Sequence, residues 1–160
     1  MEIISTIVNQ LALLGFAVLL VAAALCDIRK FTIPNRLNAA IALLYPAHVM
    51  SSPETVDWMM AVVIAACVLL VCAGLFALGG MGGGDAKMLA ATTLWAGPAM
   101  AFPFIFITTL AGGALSLVVW ARVRFGPAIG LSFIETRPVV PYGVAIATSG
   151  LLVAYTLFLT

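Results

Sequence analysis

Residues 3–26 read IISTIVNQLALLGFAVLLVAAALC, a stretch without a single charged side chain. A helix needs about 20 mainly apolar residues to cross a bilayer, so this stretch predicts a transmembrane helix. Further apolar runs follow at residues 34–50, 56–78, 85–95, 99–121 and 142–159. They lack the polar–apolar alternation of a membrane β-barrel. The pattern predicts an all-α, polytopic membrane protein with about six transmembrane helices, forming one domain over residues 1–160.

The composition excludes several other classes of protein. Of the 160 residues, 64% are hydrophobic and only 8% are charged, and the mean hydropathy is +1.23. A soluble domain carries about 25% charged residues. The chain therefore has too few charges for a water-soluble monomer, a coiled coil or a disordered tail. Its net charge of +1 and the absence of a basic patch also argue against a nucleic-acid partner. Because the chain is so apolar, the lipid bilayer is its expected environment.

The basic residues predict the topology. They follow the first run, precede the short fourth run, or follow the fifth: Arg29, Lys30, Arg36, Lys87, Arg122, Arg124 and Arg137. All seven would lie on one side of the membrane, and by the positive-inside rule that side is the cytoplasm. Both termini are then expected outside the cytoplasm.

Few side chains outside this basic set suit catalysis or metal binding. The three cysteines form no zinc-type pattern, so no metal or other cofactor is expected. His48 is the only histidine, and a hydrogen-bonded or interfacial role suits it better than that of a base. Asp57 precedes the third run and is expected to cap the helix there.

Two aspartates stand at the cytoplasmic ends of predicted helices. Asp27 ends the first run, in Cys26-Asp27-Ile28-Arg29-Lys30, and Asp85 begins the fourth, in Gly82-Gly83-Gly84-Asp85-Ala86-Lys87. Charge at membrane depth is costly, so an acidic residue there is a functional candidate. The alternative is that each aspartate pairs with a nearby base, Asp27 with Arg29 or Lys30, and Asp85 with Lys87.

Two neighbouring carboxylates suffice for hydrolysis of a peptide bond. One takes a proton from water, while the other, protonated, donates a hydrogen bond to the carbonyl oxygen. Helix dipoles favour a negative charge at the start of a helix and disfavour it at the end. This predicts Asp85 as the first base and Asp27 as the member that carries the proton, although Arg29 and Lys30 oppose the bias at Asp27. The glycines before Asp85 leave room for a substrate backbone to approach.

These motifs resemble the type IV prepilin leader peptidases. Members of that family have an aspartate at the end of the first span, often followed by a basic residue and Ile-Pro-Asn, as in Asp27 to Asn35 here. Their second aspartate lies in GxGDxK, which matches residues 82–87, and Pro141-Tyr142-Gly143 is also family-like. GxGD alone recurs in presenilin-like proteases, but the three blocks in this order cover nearly the whole chain.

The resemblance implies an activity and a set of residues. The family removes a short basic leader from pilin-like precursors at the cytoplasmic face of the bacterial inner membrane, while the precursor's apolar helix stays in the bilayer. Asp27 and Asp85 would be the catalytic pair. The supporting positions would be Gly82, Gly84, Lys87, Arg29, Pro34, Asn35, Pro141, Tyr142 and Gly143.

One departure from the larger family members narrows the expectation. Those members carry a cytoplasmic domain with two CxxC pairs and also N-methylate the new amino terminus. The loop after Lys30 is too short for that domain. The chain therefore resembles the small branch that serves tight-adherence, or Flp-type, pili, and no methyl donor is expected. The oligomeric state stays open.

Other functions remain open at this level. Pro46 lies within the second run and Gly97-Pro98 end the fourth, so both helices are expected to be kinked or broken. Two acidic residues near broken helices would also suit a proton- or ion-coupled carrier, although no internal repeat is visible. A non-catalytic subunit of a pilus or secretion machine would have replaceable aspartates. The loop at residues 122–141 is apolar enough to lie on the membrane surface, and we expect it to help seat a leader peptide.

Overall fold

The computed structural model describes residues 2–125 and 140–159. Within these ranges the chain is helical and has no strand, as the apolar runs predict. The helices are α1 Glu2–Lys30, α2 Asn35–Ser51, α3 Trp58–Ala77, α4 Gly83–Phe125 and α5 Tyr142–Leu159. Most of the loop at 122–141, including Arg137, lies outside the described residues. The prediction that this loop helps to seat a leader peptide therefore concerns residues that the structure does not describe.

The long helix α4 is broken at Gly97, next to the predicted end of the fourth run. Gly97 has φ 60 and ψ −175, a backbone conformation that a residue with a Cβ rarely adopts. Thr92 precedes the break and packs so close to Gly150 of α5 that a Cβ added there would meet its side chain. Thr108 follows the break and hydrogen-bonds to Ser149 of α5. In a straight helix Thr92 and Thr108 would be about 24 Å apart. The two segments of α4 therefore fold back on each other beside the middle of α5.

Four helices are long and apolar enough to cross a membrane: α1, α3, α4 and α5. These helices make the chain a membrane protein. The break at Gly97 gives α4 two helical segments, which correspond to the predicted fourth and fifth runs. The count of six crossings and the location of the termini stay predictions.

The core lies where α4 packs against α2, α3 and α5, and where α1 packs against α2 and α5. Trp95 of α4 is buried at its centre, stacked on Phe16 of α1 with ring centroids 4.2 Å apart. Its indole N–H donates to the Ile41 carbonyl in α2 at 2.9 Å, so a buried donor finds a partner across helices. Large apolar side chains such as Leu70 and Phe102 are exposed on the perimeter, as expected of a surface that faces lipid.

Two sequence predictions about polar residues are confirmed away from the aspartates. Asp57 is the N-cap of α3 and accepts a hydrogen bond from the Met60 N–H at 3.1 Å. His48 is buried and hydrogen-bonded, with its Nδ1 2.6 Å from the Asn9 side-chain oxygen. Its ring also stacks on Trp95. His48 therefore joins α1, α2 and α4 within the core.

Candidate active site

Four helix ends meet at one end of the bundle: the last turn of α1 and the first turns of α2, α4 and α5. Helix α1 ends as Phe31 takes a positive φ of 49, unusual for a residue with a side chain. Residues 31–34 then lead directly into α2. The first turn of a helix has unpaired N–H groups and a partial positive charge. Three such helix starts therefore surround the end of α1, which carries Asp27.

Asp27 is almost fully buried, with 4% of its surface exposed. Its Oδ2 accepts a hydrogen bond from the backbone N–H of Gly143, in the first turn of α5, at 2.7 Å. This contact joins residues far apart in the chain and satisfies one of the unpaired N–H groups of α5. The carboxyl group of Asp27 is therefore held in a fixed position by the backbone of another helix.

Asp85 lies in the first turn of α4 and is close enough to Asp27 for the two side chains to interact electrostatically. Its Oδ1 is buried and has no hydrogen-bond partner among the described residues. Its Oδ2 lies over Gly82, where an added Cβ would be 2.6 Å away. The glycine thus leaves space for the Asp85 carboxyl group.

Ile33 links the surroundings of the two aspartates. A Cβ added to Gly84 would lie 3.2 Å from both the Cβ and the carbonyl oxygen of Ile33. One added to Gly143 would lie 2.8 Å from Ile33 Cδ1 and 2.8 Å from Asp27 Oδ2. The chain between α1 and α2 therefore packs directly against two glycines, one beside each aspartate. Larger residues at either glycine would push these elements apart.

The Ile-Pro-Asn turn connects to the helix that carries Asp85. Pro34 precedes α2 with extended backbone angles, and its carbonyl accepts from the N–H groups of Leu37 and Asn38. Asn35 begins α2, and its side-chain oxygen accepts a hydrogen bond from Lys87 Nζ at 2.9 Å. Lys87 thus ties the start of α4 to the start of α2 rather than forming an ion pair with Asp85.

Pro141, Tyr142 and Gly143 form the start of α5. The Pro141 carbonyl accepts from Val144, and the Tyr142 ring occupies the space that a side chain at Gly112 of α4 would need. Tyr142 also lies near enough to Asp85 for the two side chains to interact electrostatically. Arg29, in contrast, is exposed, and its side chain makes no hydrogen bond or ion pair with a described residue. The structure therefore brings together all the predicted positions except Arg29.

The alternative in which each aspartate pairs with a nearby base, Asp27 with Arg29 or Lys30 and Asp85 with Lys87, is not seen. Across residues 2–125 and 140–159, neither Asp27 nor Asp85 forms an ion pair. The same part of the chain holds no group of three or more His, Cys, Asp or Glu residues arranged for a metal ion.

Sequence reasoning missed Asn38, which is buried in α2 and donates its side-chain N–H to the Gly84 carbonyl at 3.0 Å. It also missed Gly112, which receives the Tyr142 ring. Asn38 is a polar residue within an apolar run, and Gly112 belongs to a glycine pair within another. A polar residue or a glycine pair within an apolar run is therefore the sequence feature by which Asn38 and Gly112 could have been found.

Fold and site together define a helical membrane protein with two interacting aspartates at one end of its bundle. The family model described as the type IV leader peptidase family matches residues 14–117, which include both aspartates. The chain therefore belongs to the type IV leader peptidase family, and it is a peptidase. The Pro141-Tyr142-Gly143 segment lies beyond the matched residues. No curated protein and no solved structure gives a significant match.

Proposed function

We propose that this peptidase is an aspartyl endopeptidase that removes the leader of Flp-type prepilins at the cytoplasmic face of the bacterial inner membrane. The observation that carries the proposal is that Asp85 lies close enough to the buried Asp27 for an electrostatic interaction, at the helix ends joined by Gly143 and Ile33 and within the family match. When two carboxyl groups interact, the negative charge of one disfavours ionisation of the other, so one of them keeps its proton more readily. One ionised and one protonated carboxyl group are the two partners that hydrolysis requires.

In the proposed reaction, a water molecule attacks the scissile carbonyl carbon. The ionised aspartate takes a proton from that water, and the protonated aspartate donates its proton to the carbonyl oxygen. The aspartate that gave up its proton then takes one from a hydroxyl group of the tetrahedral intermediate, the C–N bond breaks, and the leaving nitrogen takes the proton that the other aspartate received from water. The hydrogen bond from Gly143 keeps Asp27 in place through these steps, and the helix-dipole assignment of Asp85 as first base stays a prediction.

The supporting residues fit roles in positioning. Lys87 and Asn35 fix the start of α4 against the start of α2. Gly82 leaves space for the Asp85 carboxyl group, and Gly84 lets the link between α1 and α2 pack against the start of α4. The link between α1 and α2 spans only residues 31–34. Its length supports the small branch without the cysteine-containing domain, and hence leader removal without N-methylation.

The experiment is cleavage of an Flp-type precursor in membrane vesicles, followed by mass spectrometry of both products. We expect one cut at the end of the basic leader and a mature amino terminus without an added methyl group. A type IV prepilin of the kind cleaved by the larger family members serves as the specificity control. Cleavage of this control precursor alone, and not of the Flp-type precursor, would contradict the Flp assignment. Failure to cleave either precursor, with the protein shown to be folded, would contradict the proposed function.

A further inference from the structure

A groove of about 460 Å³ runs between α2, α3 and α4, beginning beside the candidate active site. Asn35, Asn38 and Lys87 line its polar end. From there it extends along about two turns of each helix and is lined mainly by six alanines: Ala39, Ala42, Ala65, Ala66, Ala90 and Ala91. Small residues let helix backbones approach closely within a membrane, so this surface is suited to a further helix.

The polar end of the groove contains a buried acceptor that lacks a partner. The side-chain N–H of Asn38 donates to the Gly84 carbonyl, so its Oδ1 takes no part in that bond and needs a donor of its own. Oδ1 is buried and has no hydrogen-bond partner among the described residues, although Asn38 is only 5% exposed. A buried acceptor of this kind costs free energy until a donor reaches it. A lipid chain has no donor, whereas the first turn of a helix has unpaired N–H groups.

A second groove, between α3, α4 and α5, lacks these features. It is lined by larger side chains such as Val68, Val71 and Leu75, and it reaches Tyr142. The hydroxyl groups of its two threonines, Thr108 and Thr109, already donate to carbonyls of their own helix, and the Tyr142 hydroxyl is not a buried group without a partner. This groove therefore has no comparable need for a peptide donor.

We propose that the alanine-lined groove seats the apolar helix of the precursor, and that the Asn38 side chain shifts as the helix binds so that a backbone N–H of the helix's first turn donates to Asn38 Oδ1. The proposal rests on the proposed function, in which the precursor's helix follows the leader. The groove starts beside Gly84, the residue before Asp85, so a helix that begins there presents its preceding segment to the two aspartates. Asn38 is then a positioning residue that holds both Gly84 and the start of the substrate helix.

Adjacent residues of α3 provide a matched pair of variants. Ala66 lines the alanine groove and Cys67 lines the second groove, and both side chains are exposed, so phenylalanine at either position spares the core. Ala66→Phe is expected to lower kcat/KM for the precursor roughly tenfold or more, because the added ring fills the groove. Cys67→Phe is expected to leave kcat/KM near the wild-type value. For Asn38→Leu we expect KM to rise more than kcat falls.

Crosslinking supplies a readout that does not depend on catalysis. In an Asp85→Asn protein with the native cysteines replaced by alanine, a single cysteine is placed at position 66, 67 or 70. A single cysteine in the precursor's apolar helix is then joined to it in vesicles by a short bismaleimide. We expect strong crosslinking from position 66 and weak crosslinking from positions 67 and 70, since Leu70 lies outside both grooves.

The outcomes separate this proposal from the proposed function. Normal cleavage by Ala66→Phe, or stronger crosslinking from position 67 than from 66, would overturn the groove assignment and leave the peptidase activity standing. Equal crosslinking from positions 66 and 70 would indicate that lipid fills the groove, and would also overturn it. Absence of cleavage by the wild-type protein would count against the proposed function itself.

Discussion

The contact between Gly143 and Asp27 makes a sharp prediction for Gly143→Ala. The added methyl group would lie 2.8 Å from Asp27 Oδ2 and 2.8 Å from Ile33 Cδ1, closer than such contacts normally occur. The start of α5 must then move away from the end of α1, and the 2.7 Å hydrogen bond to Asp27 lengthens or breaks. Overpacking of this kind costs about 1–3 kcal/mol of stability. A catalytic group misplaced by about 1 Å can cost roughly 100-fold in rate.

The assay combines thermal unfolding in detergent with the initial rate of precursor cleavage. Gly74→Ala is the matched control, because nothing lies within 4 Å of a Cβ at that helical position. An Ile33→Val change in the Gly143→Ala protein removes Cδ1, and with it one of the two shortest contacts. We expect the double variant to regain part of the lost stability but little activity, since the contact with Asp27 remains. Wild-type stability and rate in Gly143→Ala would refute the geometry described for this site.

Two further substitutions test contacts that the sequence did not suggest. Gly112→Ala should lower the melting temperature, because its methyl group would occupy the space of the Tyr142 ring, whereas Gly113→Ala next to it meets nothing and should be neutral or stabilising. Equal melting temperatures for the two variants would contradict the packing of Tyr142. His48→Phe should cost about 1–3 kcal/mol of stability by leaving the Asn9 oxygen unpaired, yet spare the cleavage rate of the folded protein. A folded but inactive His48→Phe protein would assign His48 a part in the chemistry.

Much of the fold follows from local features of the sequence. The apolar runs predict the helices to within a few residues at most ends, and the last run, 142–159, coincides with α5. Gly97-Pro98 predicts the interruption within α4, because glycine tolerates the positive φ that breaks the helix. These features depend on residues close together in the chain, so hydropathy and turn chemistry suffice to predict them.

The site could be predicted only in part. The motifs identify Asp27 and Asp85, but not the hydrogen bond from Gly143, which joins positions 116 residues apart. The hydrogen bond from Asn38 to the Gly84 carbonyl likewise depends on how α2 packs against α4. So does the absence of a hydrogen-bond partner for Asn38 Oδ1 among the described residues. Lys87 is only two residues from the Asp85 carboxylate in the sequence, yet it bonds to Asn35 instead. Tertiary packing decides these contacts, and a single sequence does not encode them in a readable local pattern.

The most direct test of the account compares wild-type protein with Asp27→Asn and Asp85→Asn. Each protein is purified in detergent, checked for unchanged thermal unfolding behaviour, and mixed with an Flp-type precursor whose products are resolved by gel shift and mass spectrometry. Asparagine keeps the size of each side chain but can neither take up nor supply the catalytic proton. The account predicts cleavage by the wild-type protein and none by either folded variant. Cleavage that survives either substitution would contradict the two-aspartate mechanism.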